Sequence, residues 1–485
     1  MPTRALFFAA AGAAALLLSG CTETETGPVN VVAIGAAPTV ANANLTRLDA
    51  ASALLLGSVA QGLVRFDAAG EIEPALAQSW FVSDDGLRYT FRIRRTEWLG
   101  GGRVTAEQVT ARLRAAASAA SRNPLKPILG AIESIEPMTG EVLEISLRSP
   151  RPNLLQLLAQ PEMAILLESR GTGPYRATPR PDGSVLLTLP APEEEEDRPS
   201  PADVAIALRG ERAPVAVAFF TTGGADLVIG GTVGDLPFVR AAEPPAPSLQ
   251  FDPVAGLFGL AFERADGALA DPTLRQALSM ALDRDAIVAS LGVPGLLPRA
   301  TLLPAGLEEV PAPAGVRWAG TPLVLRRQEA ARTVAEASAG ERLRIRVAMP
   351  DQPGHRLLFA WLRRDWRAIG IDAERVATDA PADLRFIDEV APATMAAWYL
   401  RHFTCERGLA CVAGADEALA AARETRDPAE RRALLAKADG MLTEAAVFVP
   451  IAAPVRWSLV SPRLTGFRRN IFGRHPPGEL IADER

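Results

Sequence analysis

The stretch from Leu343 to Val376 constrains the fold more than any other. Leu343, Ile345, Val347 and Met349 alternate as a strand. Leu357 to Ile369 has the apolar spacing of an amphipathic helix, Gly370 stops it, and Ile371 to Val376 reads as the next strand. Strand, helix and strand in that order imply a right-handed crossover and local parallel pairing. The expected architecture is α/β (mixed α+β), in at least two lobes.

The rest of the chain supplies compatible elements. Val29, Val31, Val32 and Ile34 begin a strand, and Leu54 to Leu63 has helical spacing. Trp80-Phe-Val82 and Tyr89 to Ile93 flank Asp84-Asp85-Gly86, a hairpin signal. Thr105 and Gln108 form a capping box ahead of a helix with Val109, Leu113 and Ala116 on one face. Further strands are expected at Leu143 to Leu147 and Val185 to Leu189. Asp271-Pro272 opens a helix bearing Leu274, Ala277, Leu278 and Ala281, and Asp427-Pro428 opens another bearing Leu434, Leu435 and Leu442. Pro190 to Pro201 is acidic and proline-rich, an expected exposed loop. Glu243 to Ser248 fits a crossing between lobes. Pro304 to Trp318 carries four prolines and no clear element.

Composition narrows the function. Apolar residues at 48% and charged residues at 22% suit a globular protein with a real core. The formal net charge of −6, without a basic tract, argues against a nucleic-acid partner. No nucleophile elbow, phosphate loop, His-Glu-x-x-His or zinc-type cysteine spacing is present, and three scattered histidines make a general-base triad improbable. No cofactor and no enzyme activity are expected.

The amino terminus gives an address. Arg4 precedes an apolar run from Ala5 to Leu18. As a helix that run spans about 21 Å, short of a hydrocarbon core of roughly 30 Å, so it reads as a secretory signal. Its Leu18-Ser-Gly-Cys21 ending resembles a bacterial lipobox, which implies cleavage before Cys21, acylation there and a membrane anchor in the cell envelope. A plain secretory signal with an incidental cysteine is the alternative. Thr22 to Pro28 then reads as a tether. With Cys21 assigned to lipid, Cys405 and Cys411 remain as a pair, expected as a disulfide in an oxidising compartment. A metal site or free thiols is the other reading, with His402 the nearby imidazole.

Several stretches resemble the peptide/nickel-type solute-binding proteins of ABC importers, solute-binding family 5. They are Gly62-Leu-Val-Arg-Phe-Asp67, Pro74-Ala-Leu-Ala-Gln-Ser-Trp80, Ser83-Asp-Asp-Gly-Leu-Arg-Tyr-Thr-Phe91 and Arg103-Val-Thr-Ala-Glu-Gln-Val109, in that order. Gly171-Thr-Gly-Pro-Tyr175, Asp271 to Ile287, and Arg431 to Pro450 followed by Leu464-Thr-Gly-Phe467 continue the likeness. The resemblance implies a two-lobed periplasmic-binding fold, a clamshell with a hinge. The expected organisation is a signal over residues 1–20, a tether over 21–29, lobe I over 30–249, lobe II over 250–455, and a return to lobe I over 456–485. It also implies capture of a small solute, most readily a peptide, by a monomer that delivers it to an ABC permease and ATPase.

Candidate ligand residues follow from the same comparison. Peptide-binding members hold the ligand ammonium with an aspartate in a Tyr-Pro-Asp-Pro-like segment. Here the strand Asp383 to Ile387 is followed by Asp388-Glu-Val-Ala-Pro392 instead. Asp388 offers the same electrostatics, and it reads equally as a solvated loop charge. Arg385 alternates with Leu384 and Phe386 and is a candidate for a ligand carboxylate or a surface acid. Trp398, Tyr399 and neighbouring Arg401 suit a cleft or the core, and Tyr175 and Thr172 sit on a Gly-rich loop that can approach it. The missing segment keeps a rival open: a lipoprotein that retained the fold, lost the pocket, and serves as sensor or envelope partner.

Overall fold

In the computed structural model the described residues are 27–190, 205–263, 265–338 and 341–481. The signal, Cys21 and nearly all of the acidic stretch from 190 to 201 lie outside them. No helix of the described residues is long and apolar enough to cross a membrane.

Two bodies form around two mixed sheets. Among the described residues the first sheet has seven strands, in spatial order Leu249–Phe251, Trp457–Val460, Leu227–Gly231, Val29–Ile34, Ile206–Glu211, Val185–Thr188 and Arg176–Pro179. Val29–Ile34 is central and pairs in parallel with both neighbours. Burial on both faces explains its β-branched and small apolar residues, Val29, Val31, Val32 and Ala33, interrupted only by the half-buried Asn30. The second sheet orders Ile371–Val376, Leu343–Ala348, Leu384–Val390, Gly256–Phe262 and Phe448–Pro450. Its first two strands pair in parallel, as the crossover pattern requires. The connecting helix Pro353–Arg367 buries Leu358, Leu362 and Trp366. The indole of Trp366 is fully buried and donates to the Leu278 carbonyl at 3.0 Å. Truncating it to alanine would cost about 3–5 kcal/mol.

A four-stranded antiparallel sheet, ordered Ala77–Val82, Arg88–Ile93, Val142–Leu147 and Ile132–Thr139, extends the first body. Its hairpin turns at Gly86, whose φ of +65° suits glycine. The helix Ala106–Ala117 starts where expected: Thr105 Oγ1 accepts from the Gln108 N–H, and Gln108 Oε1 accepts from the Thr105 N–H. Pro304 to Trp318 forms no helix and only an isolated bridge between Leu307 and Val310.

The chain crosses between the bodies twice. It passes from Leu249–Phe251 in the first sheet to Gly256–Phe262 in the second, and from Phe448–Pro450 back to Trp457–Val460. The first crossing therefore falls at residues 252–255, beyond the proline-rich 243–248, because Leu249–Phe251 still finds an antiparallel partner in Trp457–Val460. The two crossings are tied together: the Asp252 N–H donates to the Arg456 carbonyl at 3.0 Å. Asp252 also meets His475 Nε2 at 3.1 Å, with both side chains nearly fully buried.

Candidate ligand cleft

A cavity of about 670 Å³ lies between the two bodies and draws its walls from both. That volume and an interdomain position are ordinary for a small-molecule site. One wall carries Arg47, Arg65, Gln160, Tyr175 and Gly230, and the other Asp388, Glu389, Trp398, Arg401 and His402. Arg456 of the second crossing and Arg474 of the last segment complete it. Polar bonds join the bodies beside the cavity. Asn153 donates to Thr394 Oγ1 at 2.9 Å, Gln160 to the Pro392 carbonyl at 2.7 Å, and Arg401 to the Pro127 carbonyl at 3.3 Å. These bonds hold the two bodies together beside the cavity.

The strand expected to stop at Ile387 runs on to Val390, so Asp388 and Glu389 are strand residues at the cavity, not loop charges. Both are held. Arg456 Nη1 donates to Asp388 Oδ1 at 2.7 Å, and its Nη2 donates to the Asp388 carbonyl at 3.1 Å. The side chains are 12% and 21% exposed, so the pair is largely desolvated. Glu389 meets His402 Nε2 at 3.2 Å and Arg47 at 3.5 Å. Burial alone would raise the Glu389 pKa, but the His402 hydrogen bond and the charges of His402, Arg47 and Arg407 reverse this and hold it at about 2.

The other sequence candidates separate. Tyr175 reaches the cavity wall, where burial pushes its phenol up to about 12. The glycines around it are sterically required: a Cβ on Gly171 or Gly173 would overlap the carbonyl oxygens of Val59 and Ser58, so the loop lies directly on the end of the helix Ala50–Val59. Thr172 Oγ1 is buried without a hydrogen-bond partner, outside the cavity lining. Trp398 lines the cavity and packs edge-on against Tyr399, with ring centroids 4.8 Å apart. Tyr399 itself is in the core at 1% exposure and does not reach the cavity. Arg385 does not reach it either. It sits near the far end of the strand, four residues from Glu389, where it pairs with Glu263 and donates to the Thr378 and Ala380 carbonyls. Cys405 and Cys411 are joined by a disulfide, with Cα atoms 5.1 Å apart, closing the turn that carries Arg407.

Sequence reasoning missed Arg122, Arg407, Arg456 and Arg474 at the cavity. Each approaches from a loop or a crossing, where no periodicity marks a side chain as inward-facing. The only signal was the arginine content itself, 49 against the two lysines Lys126 and Lys437.

Comparison with known proteins places these features. The family described as "Bacterial extracellular solute-binding proteins, family 5 Middle" matches residues 71–403, well over half of the chain. The glutathione-binding protein GsiB of Escherichia coli is 30% identical over 189 residues, which is 34% of this chain and 35% of that protein. The match thus spans about a third of the curated relative's length. Haemophilus influenzae OppA, solved in complex with the peptide RPPGFSPFR, superposes with a TM-score of 0.77 at 18% identity, covering 94% of this chain and 98% of that one. The Escherichia coli murein tripeptide binding protein MppA superposes with a TM-score of 0.78 at 17% identity and the same coverage. The fold is therefore the two-lobed architecture of these neighbours, and the chain belongs to the bacterial extracellular solute-binding proteins of family 5.

Proposed function

We propose that the protein captures a peptide or peptide-like solute outside the cytoplasm and delivers it to an ABC permease and its ATPase. The observation that carries this reading is the cavity between the two bodies, about 670 Å³ and walled by both. A ligand touching both walls stabilises the closed form over the open one by its differential contacts, and closure is then the signal the importer reads. A structural neighbour solved with a bound peptide, another that is a murein tripeptide binding protein, and a relative named for glutathione support a peptide-like solute. The role is binding, not catalysis, by a monomer anchored through acylated Cys21 in the envelope.

Native mass spectrometry of protein purified without refolding tests the main claim. A peptide-sized ligand should co-purify, or members of a di- to pentapeptide library should raise the melting temperature. If neither happens, the peptide reading falls. Intact-mass analysis of membrane-extracted protein should show a chain starting at Cys21 with acyl mass. An unmodified Cys21 on a soluble chain would remove the anchor.

A further inference from the structure

The cavity is unbalanced in charge. Seven arginines line it against four carboxylates. Four of the arginines are matched: Arg47 by Glu389 at 3.5 Å, Arg65 by Glu73 at 2.6 Å, Arg456 by Asp388 at 2.7 Å and Arg474 by Glu162 at 3.3 Å. The remaining lining carboxylate, Asp49, accepts from the Ser52 N–H as a helix cap. Arg122, Arg401 and Arg407 are left with no carboxylate within ion-pair distance among the described residues. The charge of Arg407 is felt by Glu389, but that carboxylate already serves His402 and Arg47.

All three line the cavity, Arg122 from the first body and Arg401 and Arg407 from the second. Arg122 lies in the loop ahead of the short helix Lys126–Leu129, whose Pro127 carbonyl accepts from Arg401 of the opposite body. Arg407 follows on the disulfide-closed turn. Arg401 is half-buried, and burial, followed by the charges of Arg423 and Arg431, lowers its pKa to about 10. A bound anion relieves each of those costs, and a guanidinium offers a carboxylate two parallel donors. On the other side of the ledger, a ligand ammonium finds Asp388 occupied by Arg456 and Glu389 occupied by His402 and Arg47. An ammonium would have to displace a guanidinium already in place.

We propose that the cleft selects a net-anionic solute, a peptide or peptide-like molecule with two or more carboxylates received by Arg122, Arg401 and Arg407. This rests on the solute-capture reading above and names the charge class of the solute. It also makes electrostatic capture dependent on salt, since a cleft of one sign concentrates ligands of the other.

The test is calorimetry on the intact protein with four probes: Glu-Glu-Glu, Ala-Ala-Ala, Lys-Lys-Lys and propane-1,2,3-tricarboxylate. Glu-Glu-Glu should bind at least tenfold more tightly than Ala-Ala-Ala, and Lys-Lys-Lys most weakly. Raising salt from 20 to 300 mM should shrink the preference severalfold. R407Q, at an exposed position and with an unchanged circular dichroism spectrum as the check on folding, should lose at least fivefold affinity for Glu-Glu-Glu and leave Ala-Ala-Ala within twofold. R401Q should lose more, with an unchanged circular dichroism spectrum as the check on folding. Equal binding of the three peptides would overturn the anionic preference and leave peptide capture standing. Binding of the tricarboxylate with no response to any peptide would overturn peptide capture and leave the preference standing. No response to either anionic probe overturns the proposal.

Discussion

Arg456 holds Asp388 from two sides, through the carboxylate at 2.7 Å and the main-chain carbonyl at 3.1 Å, and so fastens the strand Leu384–Val390 to a crossing between the two bodies. The carboxylate that the sequence offers for a ligand ammonium is thus tied to a crossing between the two bodies. D388A leaves a largely buried guanidinium without its counter-charge and should cost about 2 kcal/mol of stability. A D388A/R456A double variant should recover part of that loss, read by urea denaturation. The companion measurement concerns ligand: acetylating the amino terminus of a bound peptide should change its affinity for the native protein by less than threefold. A tenfold loss on acetylation, abolished in D388A, would return Asp388 to the ammonium site.

The contact between residues 233–234 of the first body and 354–355 of the second admits no extra atom. A Cβ on Gly354 would overlap the Val233 carbonyl oxygen, and one on Gly234 would stand 2.6 Å from the His355 ring. Gly354 lies in the first turn of the helix Pro353–Arg367, where alanine is the better helix former, so G354A should not weaken the helix itself. Its effect should fall on closure. Ligand affinity is expected to drop at least tenfold, about 1.4 kcal/mol, with the melting temperature of the unliganded protein nearly unchanged. Small-angle scattering with saturating ligand should show a larger radius of gyration than the native complex. Native-like affinity in G354A would mean the two bodies close without this contact.

What the sequence made legible was local. The hairpin from Trp80 to Ile93, the Thr105–Gln108 capping box and the successive elements of the crossover from Leu343 to Val376 each carry their signal within the element itself, and each forms as read. The strand Gly256–Phe262 was not legible. It is buried on both faces, so it has no alternation, and its partners Leu384–Val390 and Phe448–Pro450 lie far along the chain. The helix Leu323–Ala337 is hard to read for the opposite reason: it buries only Ala330 and Val334 and carries a weak apolar stripe. At the cleft, Asp388, Trp398 and Tyr175 could be nominated because a motif or an aromatic marked them. The Arg456 that changes what Asp388 can do sits 68 residues away and bears no mark at all.

The disulfide between Cys405 and Cys411 closes a short turn from which Arg407 faces the cavity. Thiol titration of denatured, unreduced protein should find neither cysteine free. C405S/C411S should lose about 2 kcal/mol, the chain-entropy value for a small loop. Because the turn also positions Arg407, affinity for an anionic ligand should fall more than affinity for a neutral one. Two titratable thiols in the native protein would contradict both expectations.

Asp439 predicts a pH dependence with a definite sign. It is 1% exposed in the helix Pro428–Glu444, and its Oδ2 accepts from the Ala314 N–H at 2.6 Å. Burial raises its pKa from an ordinary 3.8 to about 6, against the lowering effect of its hydrogen bonds. A carboxyl whose folded pKa is raised favours the fold while protonated. That contribution is complete below the unfolded value and is lost as pH rises through about 6. D439N keeps an oxygen for the Ala314 N–H and removes the charge. It should match the native protein near pH 3.5, gain on it between pH 4 and 6, and exceed it by on the order of 2 kcal/mol at pH 7.5. Urea denaturation of both proteins across pH 3.5–7.5 measures this difference directly. Parallel stability curves would show that the carboxyl is ionised without penalty where it sits.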